Sequence, residues 1–448
     1  MKRYVFTLLL CIPFILNAQN SVQAVNAMHK VSKGETLWSI SQRYNITVEE
    51  LIASNPEIKE NNGKIKKGSF LFIPQPSATS SAPIETNEPA PVIDMPTKKT
   101  RESARIGVLL PLEEKTERTK KVIEFYQGFL MAADSVRRQG LDMDIYTYNS
   151  GTTEAEIMDI LMKPEMSSLD IIFGPVYEEQ LPMTANFCRQ HGIKLVLPFI
   201  NSMNIIGNPN IYVVTPSNQI TTTEAAALTV KLHADKNVII IRSNDENTKG
   251  SLFTKTLSEM FMKKGNMPRI VNIDADDFTL ETAMNQYKDN LILTDNNTIR
   301  TLNILVSKLN EFMRKHPAYN ISLLGYPEWQ SYTSTQLENF FRLDTYIYSA
   351  YFYNALSPET KAFEQSFMKN FGRAMINSQP RFAMMGFDLA YWFLHDLYIE
   401  FKGFDTQQRI IPYQNPFRFV QEADESGYNN RFVQLIHYTQ TRQIETVK

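Results

Sequence analysis

Residues 77–103 show no apolar pattern from which a core could be built. The segment opens Ser-Ala-Thr-Ser-Ser-Ala-Pro and runs through Pro89, Pro91 and Pro96 to Lys98-Lys99-Thr100 without apolar periodicity. Its prolines favour an extended backbone, and its composition is that of a spacer. Fully extended, such a stretch reaches about 80 Å at about 3.1 Å per residue. The chain must therefore fold as a short part before it and a long part after it. There is material for both: 43% of the 448 residues are hydrophobic and 21% charged, a globular balance. With 46 basic residues against 48 acidic ones the formal net charge is −2, so the basic excess that non-specific nucleic-acid binding requires is missing. Two cysteines, Cys11 and Cys188, supply no disulfide framework, and each part relies on its own apolar core.

The first residues carry a targeting pattern. Met1-Lys2-Arg3-Tyr4 supplies positive charge, and Val5 to Leu16 is an apolar run interrupted by Pro13. The run falls short of the roughly 20 residues a membrane-spanning helix needs. Ala18 is a small residue suited to a cleavage site, so residues 1–18 are expected to be a secretory signal peptide. The mature protein is then expected to be exported to the periplasm or cell envelope of a bacterium. Cys11 lies inside the expected signal, and losing Lys2 and Arg3 with it takes the net charge from −2 to −4. Cys188 follows Phe187 and is read as a partly buried helix position.

Residues 29–76 form the most informative stretch. His29-Lys30-Val31 reads as a strand, Lys33-Gly34 as a turn, and Thr36 as the cap of a helix carrying Leu37, Ile40 and Ser41 on one side. Thr47 and Glu50 have the spacing of a capping box for a second helix. Lys67-Gly68 turns the chain into the apolar run Phe70 to Ile73, which Pro74 ends. This strand-helix-helix-strand pattern resembles the LysM domain over its whole length. It carries Val-x-x-Gly-(Asp or Glu)-Thr-Leu-x-x-Ile from Val31 to Ile40, Leu-x-x-x-Asn from Leu51 to Asn55, and Ile-x-x-Gly-x-x-Leu-x-Ile-Pro from Ile65 to Pro74. The resemblance implies binding of N-acetylglucosamine-containing glycans, peptidoglycan in an exported bacterial protein. It places the binding groove between Gly34, Glu35, Thr36 and Leu37 on one side and Asn55, Pro56, Glu57 and Ile58 on the other. Leu37 also suits a purely structural place in the core. A single copy implies weak attachment.

From residue 104 onward, strands and helices alternate. Ile106 to Leu110 is a buried-type strand ended by Pro111. Val122, Phe125, Phe129, Ala133 and Val136 then recur at helical spacing, closed by Gly140. Further strand-like runs occur at Met143–Tyr148, Asp170–Phe173, Lys194–Pro198, Asn210–Val214, Asn237–Arg242, Arg269–Ile273, Asn290–Thr294, Asn320–Leu324 and Tyr346–Ser349. The rhythm predicts an α/β fold with parallel sheets covered by helices, and so many strands predict two lobes. The ordered landmarks Tyr126-Gln127-Gly128-Phe129, Ile172-Phe173-Gly174-Pro175, Leu195-Val196-Leu197-Pro198, Val214-Thr215-Pro216-Ser217, Ala350-Tyr351-Phe352-Tyr353-Asn354 and Met385-Gly386-Phe387-Asp388 resemble the type I periplasmic binding proteins. That resemblance covers residues 104–448. It implies two discontinuous lobes joined by three crossings, with any ligand held in the cleft between them.

Tyr177, Glu178, Asn201, Ser202, Tyr326 and Tyr353 are the candidates to line that cleft, with packing the favoured alternative for Tyr326 and Tyr353. Amino-acid binders of the superfamily hold a ligand carboxylate with Ser or Thr hydroxyls after the Gly-x motif. Here Gly174-Pro175-Val176-Tyr177-Glu178-Glu179 puts carboxylates at that place, which repel another carboxylate. A cationic or sugar-like ligand, or none, fits better.

Catalytic patterns are scarce. The chain has no His-Glu-x-x-His, Gly-x-Ser-x-Gly or Gly-x-x-x-x-Gly-Lys, and its six histidines lack metal-ligand spacing. Ser366-Phe367-Met368-Lys369 matches Ser-x-x-Lys, but Phe363, Phe367 and Phe371 make it an amphipathic helix. The sequence thus reads as a non-enzymatic envelope protein without a cofactor. Its expected partners are peptidoglycan, a peptidoglycan synthase or other envelope protein by analogy with outer-membrane lipoproteins of the same fold, and, as the alternative, a small ligand in the inter-lobe cleft.

Overall fold

The computed structural model describes residues 25–32, 35–44, 46, 48–55, 58, 65–74, 103–113, 115–201, 205, 207–244, 251–402 and 411–448. The expected signal peptide, the spacer apart from Ser103, and Thr47 of the expected capping box lie outside them. The chain divides into two compact units, Met1–Ile93 and Asp94–Lys448.

In the small unit, β1 (Val25–Lys30) and β2 (Phe70–Pro74) pair antiparallel, with His29 opposite Leu71 and Lys30 opposite Phe70. Between them lie α1 (Leu37–Tyr44) and α2 (Val48–Ala53). Thr36 caps α1 as its position predicts. Its Oγ1 accepts from the Ser39 amide at 3.1 Å, and its own amide donates to Ser39 Oγ at 2.9 Å. Gly68 turns the chain into β2 at φ +88°, a conformation that favours glycine, and its amide donates to the Val31 carbonyl at 2.8 Å. Val31, Ile40, Ile46, Leu51, Ile58, Leu71 and Ile73 form the core. Burying each is worth roughly 1.5–3 kcal/mol, so a unit this small has little to spare.

The large unit contains two seven-stranded sheets. In chain order, its strands are β3 (Ala104–Leu110), β4 (Met143–Asn149), β5 (Ile171–Phe173), β6 (Lys194–Leu197), β7 (Ile211–Val213), β8 (Asn237–Arg242), β9 (Arg269–Asn272), β10 (Asn290–Thr294), β11 (Ile321–Gly325), β12 (Thr345–Ser349), β13 (Phe419–Gln421), β14 (Tyr428–Asn430), β15 (Gln434–Tyr438) and β16 (Ile444–Val447). The first lobe orders them β13-β14-β7-β6-β5-β3-β4, and the second β16-β15-β12-β11-β10-β8-β9. Strands β3 to β7 and β8 to β12 are parallel within their sheets. β14 joins β7 in parallel, whereas β13, β15 and β16 pair antiparallel. The chain passes between lobes at residues 214–217, 350–357 and 431–433, so neither lobe is continuous in sequence.

Parallel sheets bury both faces, which explains the unbroken apolar runs. In the first lobe Ile171 and Phe173 join one core with Phe125, Phe129 and Phe393, while Ile172 points to the other with Leu109, Leu195 and Cys188. Cys188 is wholly buried rather than partly so, and that burial pushes its thiol pKa far up. The helix Glu117–Arg138 packs directly against the helix Phe382–Lys402. A Cβ on Gly128 would stand 1.8 Å from the Ala383 carbonyl oxygen, and one on Gly386 would stand 1.9 Å from that of Phe125. Two of the sequence landmarks are therefore glycines at which one helix touches the backbone of the other.

Candidate functional site

The small unit gathers a polar cluster that was only half visible in sequence. Glu35 Oε2 accepts from the Ser32 amide at 2.7 Å and from His29 Nε2 at 2.8 Å, while Oε1 pairs with Arg43 Nη1 at 2.7 Å. His29 Nδ1 lies 3.0 Å from the Tyr44 hydroxyl. These contacts stabilise the ionised carboxyl, chiefly the Ser32 amide and then His29, and hold its pKa down at about 2. Glu35 thus ties β1, the following turn and α1 together, and its carboxylate is engaged internally. His29 and Arg43 as partners of Glu35, and Tyr44 as a partner of His29, were not foreseen, because these contacts join β1, the turn and α1.

The other expected groove residues divide by role. Thr36 is exposed beside its capping contacts, and Leu37 packs on the edge of the core. Asn55 is fully buried: Nδ2 donates to the Leu51 carbonyl at 2.7 Å, and its carbonyl accepts from the Ile58 amide at 3.0 Å. Ile58 is 2% exposed and belongs to the core. Gly34, Pro56 and Glu57 lie outside the described residues.

The cleft candidates differ in their surroundings. Tyr177 is half-buried under the Arg118 guanidinium, which sits 4.7 Å from its ring centroid. Glu178 is exposed on a single 3-10 turn, Asn201 is exposed, and Ser202 is outside the described residues. Tyr326 requires a correction. It is 2% exposed in the second-lobe core among Phe253, Trp329 and Tyr348, and its hydroxyl donates to the Thr294 carbonyl. Following a fully buried strand, it stays in the apolar layer instead of reaching the cleft. Tyr353 is half-buried and lines a cavity of about 600 Å³ at the second crossing. Residues 330–337 of the second lobe, 352–356 of the crossing and 377–381 of the first lobe contribute to its wall. Ser366 and Lys369 are both exposed on the helix Pro358–Phe371, whose Phe363 and Phe367 are buried, as an amphipathic helix requires. Among the described residues no helix is long and apolar enough to cross a membrane.

Comparison with known proteins gives each unit a relative. Residues 29–74 match the LysM domain family. No curated protein matches the chain. Among solved structures, a putative branched-chain amino acid ABC transporter protein from Rhodospirillum rubrum is 12% identical at a TM-score of 0.52, covering 77% of this chain and 100% of that one. A branched-chain amino acid ABC transporter periplasmic ligand-binding protein from Burkholderia xenovorans is 12% identical at a TM-score of 0.46, covering 77% and 95%. Full-length LpoA from Haemophilus influenzae is 13% identical at a TM-score of 0.48, covering 77% of this chain and 59% of that one. At such identities the likeness is one of fold. The chain therefore joins a LysM domain at residues 29–74 to a two-lobed body with the fold of the type I periplasmic binding proteins.

Proposed function

We propose that the protein attaches to peptidoglycan through residues 29–76 and presents its two-lobed domain, from residue 104 onward, to another envelope protein, in the manner of a non-enzymatic regulator of wall synthesis. The match of residues 29–74 to the LysM family carries this reading. Export by a signal peptide at residues 1–18 and a spacer at 77–103 belong to the same proposal, as does a place in the bacterial periplasm. The region after β5 argues against an amino-acid carrier: no Ser or Thr follows Gly174-Pro175 before Gln180, and Glu178 and Glu179 are exposed. Attachment to the wall also suits a stationary role better than a freely diffusing one.

The test is sedimentation with insoluble sacculi. The full chain should co-sediment, and a variant lacking residues 29–76 should stay in the supernatant. Equal sedimentation of the two would sink the attachment. Recovery of a wall synthase with the wall-bound protein, lost when the two-lobed body is removed, tests the regulatory part. The cavity at the second crossing favours a second reading, a wall-anchored sensor of a small molecule.

A further inference from the structure

The cavity at the second crossing has a lining with a definite chemistry. Gln330, Ser334, Asn354, Ser378 and Gln379 bring neutral amides and hydroxyls. Arg381 is the one charged side chain among the described residues that line it. Its guanidinium lies 4.6 Å from the Tyr353 ring centroid, and Nη1 donates to the Ile376 carbonyl at 2.8 Å. Glu364 stands behind Tyr353, its carboxylate accepting from the tyrosine hydroxyl at 2.6 Å. The cavity thus offers one cation and no acid, several groups that both donate and accept, and aromatic surface from Phe352 and Tyr353. At about 600 Å³ it lies within the ordinary range of ligand pockets. It shares Tyr353 with the residues expected in the inter-lobe cleft, but none of the residues after β5 or β6 contributes to it.

We propose that this cavity binds a small carboxylate rich in amide and hydroxyl groups, of the class of N-acylated sugar acids. The carboxylate would pair with Arg381, as guanidinium groups do with planar anions. Acetamido and hydroxyl groups would meet Gln330, Asn354 and Gln379. Because both lobes and the crossing supply walls, an occupant holds them at one mutual angle and favours that arrangement over others. The choice of a wall-derived sugar acid rests on the attachment proposed above; the cavity and its charge do not.

Hydrogen exchange on the full chain tests this, with N-acetylmuramic acid as probe and neutral N-acetylglucosamine as comparator. The probe should slow amide exchange at 330–337, 352–356 and 377–381. The comparator and the Arg381→Gln variant should each need about tenfold more sugar for the same protection. Gln379 is exposed, so Gln379→Trp should fold normally and abolish protection by filling the cavity. No slowing in these segments, or equal slowing by both sugars, overturns the proposal. Protection confined to residues 29–74 does so too while leaving wall attachment standing. A disaccharide-peptide released from sacculi forms a third arm: protection by it as well as by the free sugar acid assigns the ligand to wall turnover, and protection by the free sugar acid alone assigns it to a soluble pool. Either result supports the site.

Discussion

The small unit and the first lobe solve the same problem in opposite ways. Each must hold helices against strands. The small unit does so with contacts between neighbours in sequence: Glu35 reaches Ser32, His29 and Arg43, and aliphatic side chains fill the centre. The first lobe relies on parts far apart in the chain, Gly128 on Ala383 and Gly386 on Phe125, with backbone against backbone and no side chain between. Local contacts cost little chain entropy to close, whereas distant ones cost more and tolerate less error.

The widest separation between the two should come from Gly128→Val. Its branched side chain collides with the Ala383 carbonyl, so the large unit should lose more than about 4 kcal/mol in urea unfolding while sacculus binding through residues 29–74 persists. The mirror experiment is Ile40→Ala, which empties the centre of the small unit. About 3 kcal/mol should be lost there. Sacculus binding should fall away, while the near-ultraviolet spectrum of the aromatic lobes stays as it was.

Legibility follows the same division. Residues 29–74 could be read directly, because turn, cap and core positions recur at fixed spacing within one stretch. The alternation of β3 to β12 with helices was also plain, since strands buried on both faces are apolar throughout. Strands β13 and β14 gave no signal, being three residues each and containing Gln421, Asn429 and Asn430. Tyr326 stood among the cleft residues with a packing role as its alternative. The second-lobe core instead extends past the strand end to enclose it. The Glu35 cluster could not be foreseen because its partners sit on different elements of one stretch, and the cavity wall because it is assembled from distant segments.

Two smaller effects sharpen the contrast. Glu35 has its folded pKa lowered to about 2 from an ordinary 4.5, so its stabilising contribution is complete above about pH 4.5 and disappears as pH falls toward 2. A thermal melt of the small unit followed by NMR should fall across that window, and Glu35→Gln should flatten the fall while lowering stability at neutral pH. Identical acid profiles for both proteins would show that the carboxylate contributes nothing. Smallest is Thr36→Ala, which removes the α1 cap and should cost the small unit about 1 kcal/mol with no change in the lobes.

The placement of β13 to β16 has a consequence during synthesis. Residues 419–430 finish the sheet begun at residue 104, and residues 434–447 finish its counterpart. A ribosome that has made four hundred residues has therefore completed neither. In the emerging polypeptide one edge stays open until residue 430 is made and the other until residue 447, and maturation of the body is postponed to the end of that stretch.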